Sequence, residues 1–548
     1  MIRSSHGVGF ERLSWVVMAM LVLLAWFNRF IQDDAFISFR YALNLVNGNG
    51  LVFNPGERVE GYTNFLWTLA MGIPMYFKSD PVLFSLLLGI LLYLLTLFLT
   101  LRVSTIMFKS KGVALVAVLL LGTNYTFSSY ATGGLETQFQ TCMFMAVLYV
   151  LWSAQNAGHW SKRAMLAFSL LLSVATLARP DSMLFVAMVL PVGLYYAIKG
   201  VETKSLKAIN ALIMLVPFTI VIGAWLFWKW SYYGDILPNT FYAKVESTTS
   251  AWRGAYYVYI FLFSYWLIPF PLLLAATVRR WLFRPEPRIC LLVALVGVWL
   301  AYVVMVGGDF MEFRFLVPIL PPMAILGTWL IFVPIQQREV RIALVAIILL
   351  GSLHHALTFG KSTNLNGIET FEQLSGHVEN PQANWRDVGR VLGESFRHDP
   401  GVLIATTAAG AIPYESGLTT VDMLGLNDKW VARHGKAKGS RPGHQRIAPL
   451  DYLVRRGVNI VVGHPWIEPI AASIQYTSAD LEHLMQSDIT EDSPLPSHAE
   501  MLEIPLKKGF KLIVVYLLRN PTVDEAIRRN GWRVHQIENH DVRADHVS

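Results

Sequence analysis

Pro81-Val-Leu-Phe-Ser-Leu-Leu-Leu-Gly-Ile-Leu-Leu-Tyr-Leu-Leu-Thr-Leu-Phe-Leu-Thr100 runs for twenty residues without a charge. A helix needs about 20 mostly apolar residues to cross the hydrocarbon of a bilayer, so this stretch reads as a membrane span. Outward from it the pattern repeats. Comparable runs lie at Leu13–Ile31, Val113–Tyr130, Glu136–Ser153, Ala164–Ala178, Ser182–Ile198, Lys207–Trp230, Gly254–Val278, Ile289–Val306, Phe315–Pro334 and Val340–Leu357, and the total is about eleven spans. Composition agrees: of 548 residues 54% are hydrophobic and only 15% charged. A soluble globular protein carries about 25% charged residues, so a chain this poor in charge has to face lipid. Its 17 Trp and 21 Tyr suit anchoring at two membrane interfaces.

The formal charge of +7 invites a nucleic-acid reading, but the bases sit in short loops between apolar runs. With an inside N-terminus, the inside loops hold Lys109 and Lys111, Lys162 and Arg163, Lys199, Lys204 and Lys207, Arg279, Arg280, Arg284 and Arg288, and Arg338 and Arg341. That alternation is what positive-inside orientation produces, and it leaves no nucleic-acid partner. The apolar segment 61–77 does not fit the alternation as a span, so it is read as a re-entrant or interface-lying helix. Leu13–Ile31 is followed by Gln-Asp-Asp rather than a small-residue cleavage site, and reads as an uncleaved anchor. Cys142 and Cys290 fall in or beside apolar runs and suggest neither a disulfide framework nor a zinc site.

Beyond Leu357 the character changes. Gly401-Val-Leu-Ile-Ala, Val458-Asn-Ile-Val-Val-Gly and Phe510-Lys-Leu-Ile-Val-Val-Tyr are short β-branched runs. They alternate with helix-like stretches such as Trp385–Phe396 and Ala479–Gln486. Buried strands spaced by helices predict an α/β domain over 359–548, after a membrane domain over 1–358. An odd number of spans from an inside N-terminus puts that domain outside the cell. His540–Ser548 reads as a frayed tail.

Chemistry is expected where polar groups persist against the membrane. The first outside loop, 32–62, opens Asp33-Asp34-Ala-Phe-Ile-Ser-Phe-Arg40-Tyr41 and closes Asn54-Pro-Gly-Glu57-Arg58-Val-Glu60-Gly-Tyr62-Thr-Asn64. Adjacent carboxylates at a membrane boundary raise each other's pKa when buried. Such a pair supplies a base for a sugar hydroxyl or hard oxygens for a divalent cation, although no cofactor is required by the sequence. The plain alternative is a solvated pair that only marks the membrane exit. Four further outside turns share glycines, acids and single bases: Gly133-Gly-Leu-Glu136, Arg179-Pro-Asp181, Gly234-Asp235-Ile-Leu-Pro-Asn239 with Lys244, and Gly307-Gly-Asp309 with Arg314. Arginine suits a phosphate through its planar fork, and paired glycines let a backbone approach a ligand.

Asp33-Asp34-Ala-Phe-Ile-Ser-Phe-Arg-Tyr together with Asn54-Pro-Gly-Glu-Arg-Val-Glu-Gly-Tyr-Thr-Asn resembles the first loop of C-type (GT-C) membrane glycosyltransferases. The nearest group is the mycobacterial terminal arabinofuranosyltransferase B family, with related bacterial proteins, some described as flagellar motor control proteins. Gly134-Leu-Glu-Thr, Ala178-Arg-Pro-Asp, Tyr233-Gly-Asp-Ile-Leu-Pro-Asn-Thr, Gly307-Gly-Asp-Phe-Met-Glu-Phe-Arg, Gly410-Ala-Ile-Pro-Tyr-Glu-Ser-Gly and Asp422-Met-Leu-Gly-Leu-Asn-Asp extend the likeness to about residue 430. The resemblance implies sugar transfer, with arabinofuranose the inherited candidate, from a polyprenyl-phosphate donor to an envelope saccharide at the outer face of a bacterial inner membrane. It implies Asp33 or Asp34 as the catalytic carboxylate, and Arg314, Lys244 and Arg179 on the donor phosphate. Arg40, Glu57, Arg58, Glu60, Tyr62, Asn64, Glu136, Asp235, Asn239 and Asp309 are its candidate substrate contacts. A catalytically inactive scaffold on the same fold, or a transporter, are the competing readings; no inverted repeat supports the second.

Overall fold

The computed structural model describes residues 5–244, 250–283, 286–362, 367–439, 441–474, 476–486 and 495–537. Arg284 and the tail His540–Ser548 lie outside them. Every apolar run read above is largely helical, and the helix ends carry ordinary capping chemistry. Asp80 accepts from the Val82 amide ahead of Pro81–Phe108, and Thr203 accepts from Leu206 ahead of Lys204–Tyr233, which Gly234 stops in the left-handed conformation.

Six described helices are long and apolar enough to cross a membrane: Gly9–Phe27, Pro81–Phe108, Lys204–Tyr233, Pro287–Met305, Arg314–Phe332 and Arg338–Lys361. A seventh arises if Ala251–Ser264 and Pro269–Thr277, bent by 97°, count as one span. The run Val113–Tyr130 breaks between helices Lys111–Gly122 and Tyr125–Ser129. The chain is thus a multi-pass helical membrane protein in which several expected spans are short, bent or less apolar. Segment 61–77 forms Phe65–Tyr76, a helix of 12 residues. At 1.5 Å per residue it reaches about 18 Å, short of the hydrocarbon thickness. It buries Trp67, Met71 and Met75 against the other helices.

The C-terminal region is built on strands β1 (Leu403–Thr406), β2 (Thr419–Asp422), β3 (Lys436–Ala437), β4 (Arg446–Ile447), β5 (Ile460–Pro469), β6 (Glu500–Pro505), β7 (Phe510–Tyr516) and β8 (Arg533–Gln536). Six of them form one sheet in the order β2-β1-β5-β7-β6-β8, and β3 pairs with β4 as a separate hairpin. The pairs β1–β2 and β1–β5 are parallel, the remaining sheet pairs antiparallel. Both faces are covered: Val388, Leu392, Val523 and Ala526 pack on one, Leu450, Leu453, Leu481 and Leu484 on the other. The two halves share a core, because Phe371, Leu374, Val378 and Ala411 belong to the apolar cluster of the membrane helices.

The first loop ties the halves together. β2 is an edge strand, whose backbone groups would otherwise be unpaired. Asn54 caps them: its Oδ1 accepts from the Thr420 amide at 3.1 Å and its Nδ2 donates to the Thr420 carbonyl at 2.8 Å. Arg40, buried beside it, donates to the carbonyls of Phe53 (2.8 Å), Leu418 (2.7 Å) and Pro413, and to Asn54.

Candidate active site

A cavity of about 960 Å³ opens between the membrane helices and the C-terminal region. The polar turns that the sequence singled out contribute Asp33, Asp34, Arg179, Asp181, Lys244, Asp309 and Arg314 to its wall. Asp33 and Asp34 start the helix Asp33–Val46, so their side chains leave the same turn in different directions. Asp33 is claimed by the opposite half. Its Oδ1 accepts from the Ala411 amide at 2.7 Å and its Oδ2 from the Gly410 amide at 3.1 Å. Gly410 must be glycine for this contact, since a Cβ there would stand 2.0 Å from the Asp33 carbonyl oxygen. Burial pushes the Asp33 carboxyl up to about 7, with Asp34 adding to the rise against the two amides.

Asp34 instead faces Arg314, with Oδ2 3.9 Å from Nη1. Burial raises its carboxyl pKa as well, against the pull of Arg314 and Lys244. Arg314 is held from behind by Asp309, whose Oδ2 accepts from Nε at 2.6 Å. That geometry depends on a left-handed stretch: Gly307 and Gly308 have φ of 87° and 73°, and Phe313 has φ 49°. A left-handed phenylalanine is strained, and it persists because surrounding packing over-determines it. Tyr257, Phe261 and Phe359 all lie with ring centroids within 5.4 Å of Phe313. The result leaves the Nη groups of Arg314 on the cavity wall without a hydrogen-bond partner among the described residues, with Nη1 turned to Asp34.

Arg179 is more heavily engaged. It donates to Glu136 at 2.6 Å and to Asp181 at 3.0 Å. Lys244 reaches the cavity without a side-chain hydrogen bond among the described residues, and burial, then Arg314, lower its pKa. The wall near Arg179 and Lys244 turns apolar through Leu237, Phe241, Met305 and Val306, all exposed. Met305 ends the apolar helix Pro287–Met305, so this side of the cavity opens where a membrane helix ends.

Other residues expected at the site lie elsewhere. Arg40 serves the joint described above; Glu57 pairs with Arg456, and Arg58 lies over the Tyr232 ring at 4.8 Å. Glu60 is buried against Lys229 at 2.8 Å, and burial pushes its carboxyl up to about 7. Tyr62 shares a hydrogen bond with the Tyr233 hydroxyl at 3.1 Å. Asp235 pairs with Lys429 (2.8 Å) and Arg433 (3.1 Å), while Asn239 donates to the carbonyls of Gly425, Leu426 and Asp428. Glu136 stands one layer behind the wall, between Arg179 and Asn64, whose Nδ2 donates to it at 2.7 Å. These groups orient the wall or join the halves; none lines the cavity.

The sequence reading missed the far wall. Glu369 arrives through a parallel bridge with Met311. Its carboxylate takes His377 at 3.3 Å on one oxygen and Arg441 on the other. Burial would raise Glu369, but His377 and Arg441 hold it at about 2. The His377 ring stacks on Trp385 at 4.2 Å, and His464 meets Trp385 edge-on at 5.9 Å. Lys438, Arg441, His444 and Gln445, from the hairpin between β3 and β4, complete this wall. The basic, glycine-rich stretch Lys436-Ala-Lys438-Gly439 with Arg441-Pro-Gly-His444-Gln445 was the available signal. Among the described residues no group of three or more His, Cys, Asp or Glu is arranged to hold a metal ion.

Two curated relatives are terminal β-(1→2)-arabinofuranosyltransferases. That of Corynebacterium glutamicum is 28% identical over 338 residues, covering 55% of this chain and 48% of that protein. That of Mycobacterium tuberculosis is 27% identical over 354 residues, covering 55% and 53%. The chain thus spans about half the length of the curated relatives it matches. Among solved structures, ArnT from Cupriavidus metallidurans matches in the apo state with a TM-score of 0.56 at 12% identity, covering 94% of this chain and all of ArnT. ArnT bound to undecaprenyl phosphate matches with a TM-score of 0.54 at 12% identity, covering 93% and 99%. At such identity these likenesses speak for the fold alone. A domain of unknown function, DUF8728, matches residues 373–521. Residues 13–393, well over half the chain, match the Alg9-like mannosyltransferase family, and with the first-loop motif seated at a cavity of the GT-C fold, the chain belongs to that family.

Proposed function

We propose that the protein transfers a sugar from a polyprenyl-phosphate donor to a saccharide of the bacterial cell envelope, in the cavity between its two halves. The observation that carries this reading is Asp34 facing Arg314 across 3.9 Å, with Lys244 on the same wall. A half-buried carboxyl facing a guanidinium whose Nη groups make no hydrogen bond among the described residues, with an ammonium on the same wall, supplies a base and a phosphate seat within one cavity. The apolar rim of Leu237, Phe241, Met305 and Val306 suits a polyprenyl tail that stays in the bilayer while its phosphate reaches Lys244 and Arg314. In the reaction the acceptor hydroxyl oxygen bonds to the anomeric carbon as the bond to the phosphate oxygen breaks. Asp34 takes the hydroxyl proton, and the lipid phosphate leaves as an anion held by Arg314 and Lys244. Asp34 is favoured over Asp33 as the base, because both Asp33 oxygens already accept backbone amides.

The finer orientation follows the charge alternation: eleven crossings, a cytoplasmic N-terminus and the domain 359–548 outside the plasma membrane. Arabinofuranose is the proposed sugar, by likeness to the two arabinofuranosyltransferases. The test is transfer from a panel of radiolabelled polyprenyl-phosphate sugars by the purified protein. Asp34→Asn is expected to lose about 10²–10⁴-fold in transfer with its thermal melt unchanged. Asp33→Asn is expected to lower the melt as well as the rate. Transfer at the wild-type rate in Asp34→Asn overturns the assignment.

A further inference from the structure

The two long walls of the cavity differ in how fully their charges are matched. On the membrane side Arg179, Arg314 and Lys244 meet Glu136, Asp181, Asp309 and Asp34, so carboxylates outnumber these three cations there. On the opposite wall the single carboxylate, Glu369, is shared between Arg441 and His377, and Lys438 meets only the neutral amide of Gln486. That count is taken over the described residues. Two buried polar atoms on the same hairpin are also left over. Arg441 Nε is a donor and Gln445 Oε1 an acceptor, and neither has a partner among the described residues. Gln445 is 7% exposed, and both residues line the cavity. A buried polar atom left unpaired costs about 1–3 kcal/mol unless something supplies the missing bond.

We infer that the wall made by the β3–β4 hairpin is the acceptor subsite, built for an anionic saccharide. Lys438 and Arg441 hold a carboxylate or phosphate of the glycan there, and Gln445 accepts one of its hydroxyls. Trp385, with His377 stacked on it and His464 at its edge, gives the glycan an aromatic surface in the cavity that Asp33 and Asp34 also line. Hydroxyl-rich and negatively charged is the one ligand character that this wall satisfies throughout. A neutral glycan leaves the cations unmatched, and a simple anion leaves Gln445 unpaired. The inference rests on the transferase reading only in placing the donor on the opposite wall.

Binding to the purified protein in nanodiscs tests it without turnover. Three tetrasaccharide probes are titrated: tetragalacturonate, a mannotetraose bearing 6-phosphate, and neutral maltotetraose. At least one acidic probe is expected to bind ten-fold or more tightly than the neutral one. Its advantage should shrink as salt rises from about 50 to 500 mM, as screening of an accessible ion contact requires. Which acidic probe wins separates carboxylate from phosphate. Lys438→Glu, at an exposed position on the hairpin, should abolish the preference with the thermal melt intact, and Lys438→Gln should weaken it, also with the melt intact. Equal affinity for acidic and neutral probes, or a preference that survives Lys438→Glu, overturns the proposal. So does loss of polyprenyl-phosphate binding in Lys438→Glu while Arg314→Gln retains it, because the hairpin would then be the donor's seat. If acidic glycans bind as described and no sugar is ever transferred, the transferase reading fails and this site stands.

Discussion

The first loop and the β3–β4 hairpin face each other across one cavity, and they use their polar residues in opposite ways. In the loop, Arg40, Asn54, Glu57, Glu60, Tyr62 and Asn64 are each bonded to protein, several of them to the other half of the chain. In the hairpin, Arg441 and Gln445 keep unpaired atoms beside the cavity, as Gln32 does only where the loop opens onto it. A dense run of polar residues beside a membrane therefore marks a joint as readily as a binding surface. What separates the two is whether the donors and acceptors are spent, and that is a property of the folded chain.

The sharpest break of this comparison is Arg40→Ala. Three backbone carbonyls, those of Phe53, Pro413 and Leu418, each lose a charged donor and keep a weaker one, from Asn44, Gly417 and Thr420 respectively. At about 1.5–3 kcal/mol for each hydrogen bond from a charged group, the joint should weaken by at least about 3 kcal/mol. Thermal unfolding in detergent should fall sharply, with residues 367–537 becoming the first target of limited proteolysis. A melt equal to wild type would mean the loop is not a joint.

A pH titration sharpens it with a smaller effect. Asp33 at the joint and Glu60 beside Lys229 both have carboxyls pushed up to about 7 by burial. Between their ordinary values near 4 and about 7, the folded protein keeps protons that the unfolded chain has released, so stability falls as pH rises through that window and levels off above it. The melt should drop between pH 5 and pH 7.5, each being an approximate bound, and Asp33→Asn with Glu60→Gln should flatten the slope. A melt that climbs over this range refutes the assignment. The smallest effect belongs to Glu57→Gln, since the Glu57–Arg456 pair is about one-third exposed. Its cost should stay under about 1 kcal/mol and shrink further in salt.

The membrane half was legible because its signal is one-dimensional: length and apolarity decide a span whatever lies around it. Pro81–Phe108 and Lys204–Tyr233 form where those criteria put them. The break inside Gly254–Val278 was missed although Pro269 and Pro271 mark it, because apolarity alone was weighed along that run. At the site, Asp33, Asp34, Arg314, Lys244, Arg179 and Asp309 were found because each stands in a polar turn between apolar runs. Arg40 and Asn239 came from equally polar turns and point away, since their partners lie hundreds of residues onward. Glu369, His377, Trp385 and Gln445 were missed for the converse reason. They are scattered single residues, gathered by the Met311–Glu369 bridge and the short hairpin rather than by spacing in sequence.

The clamp of Gly410 on Asp33 joins residues 377 positions apart. At roughly 5–20 residues per second, a ribosome needs on the order of 20–75 s to pass from one to the other. During that interval the aspartate pair has been made without the far wall of its cavity. The wall of Asp34, Lys244 and Arg314 is therefore synthesised before the wall of Glu369 and the β3–β4 hairpin, so the nascent chain has no complete cavity until its C-terminal region has folded onto the first loop. Synthesis itself acts as the timer.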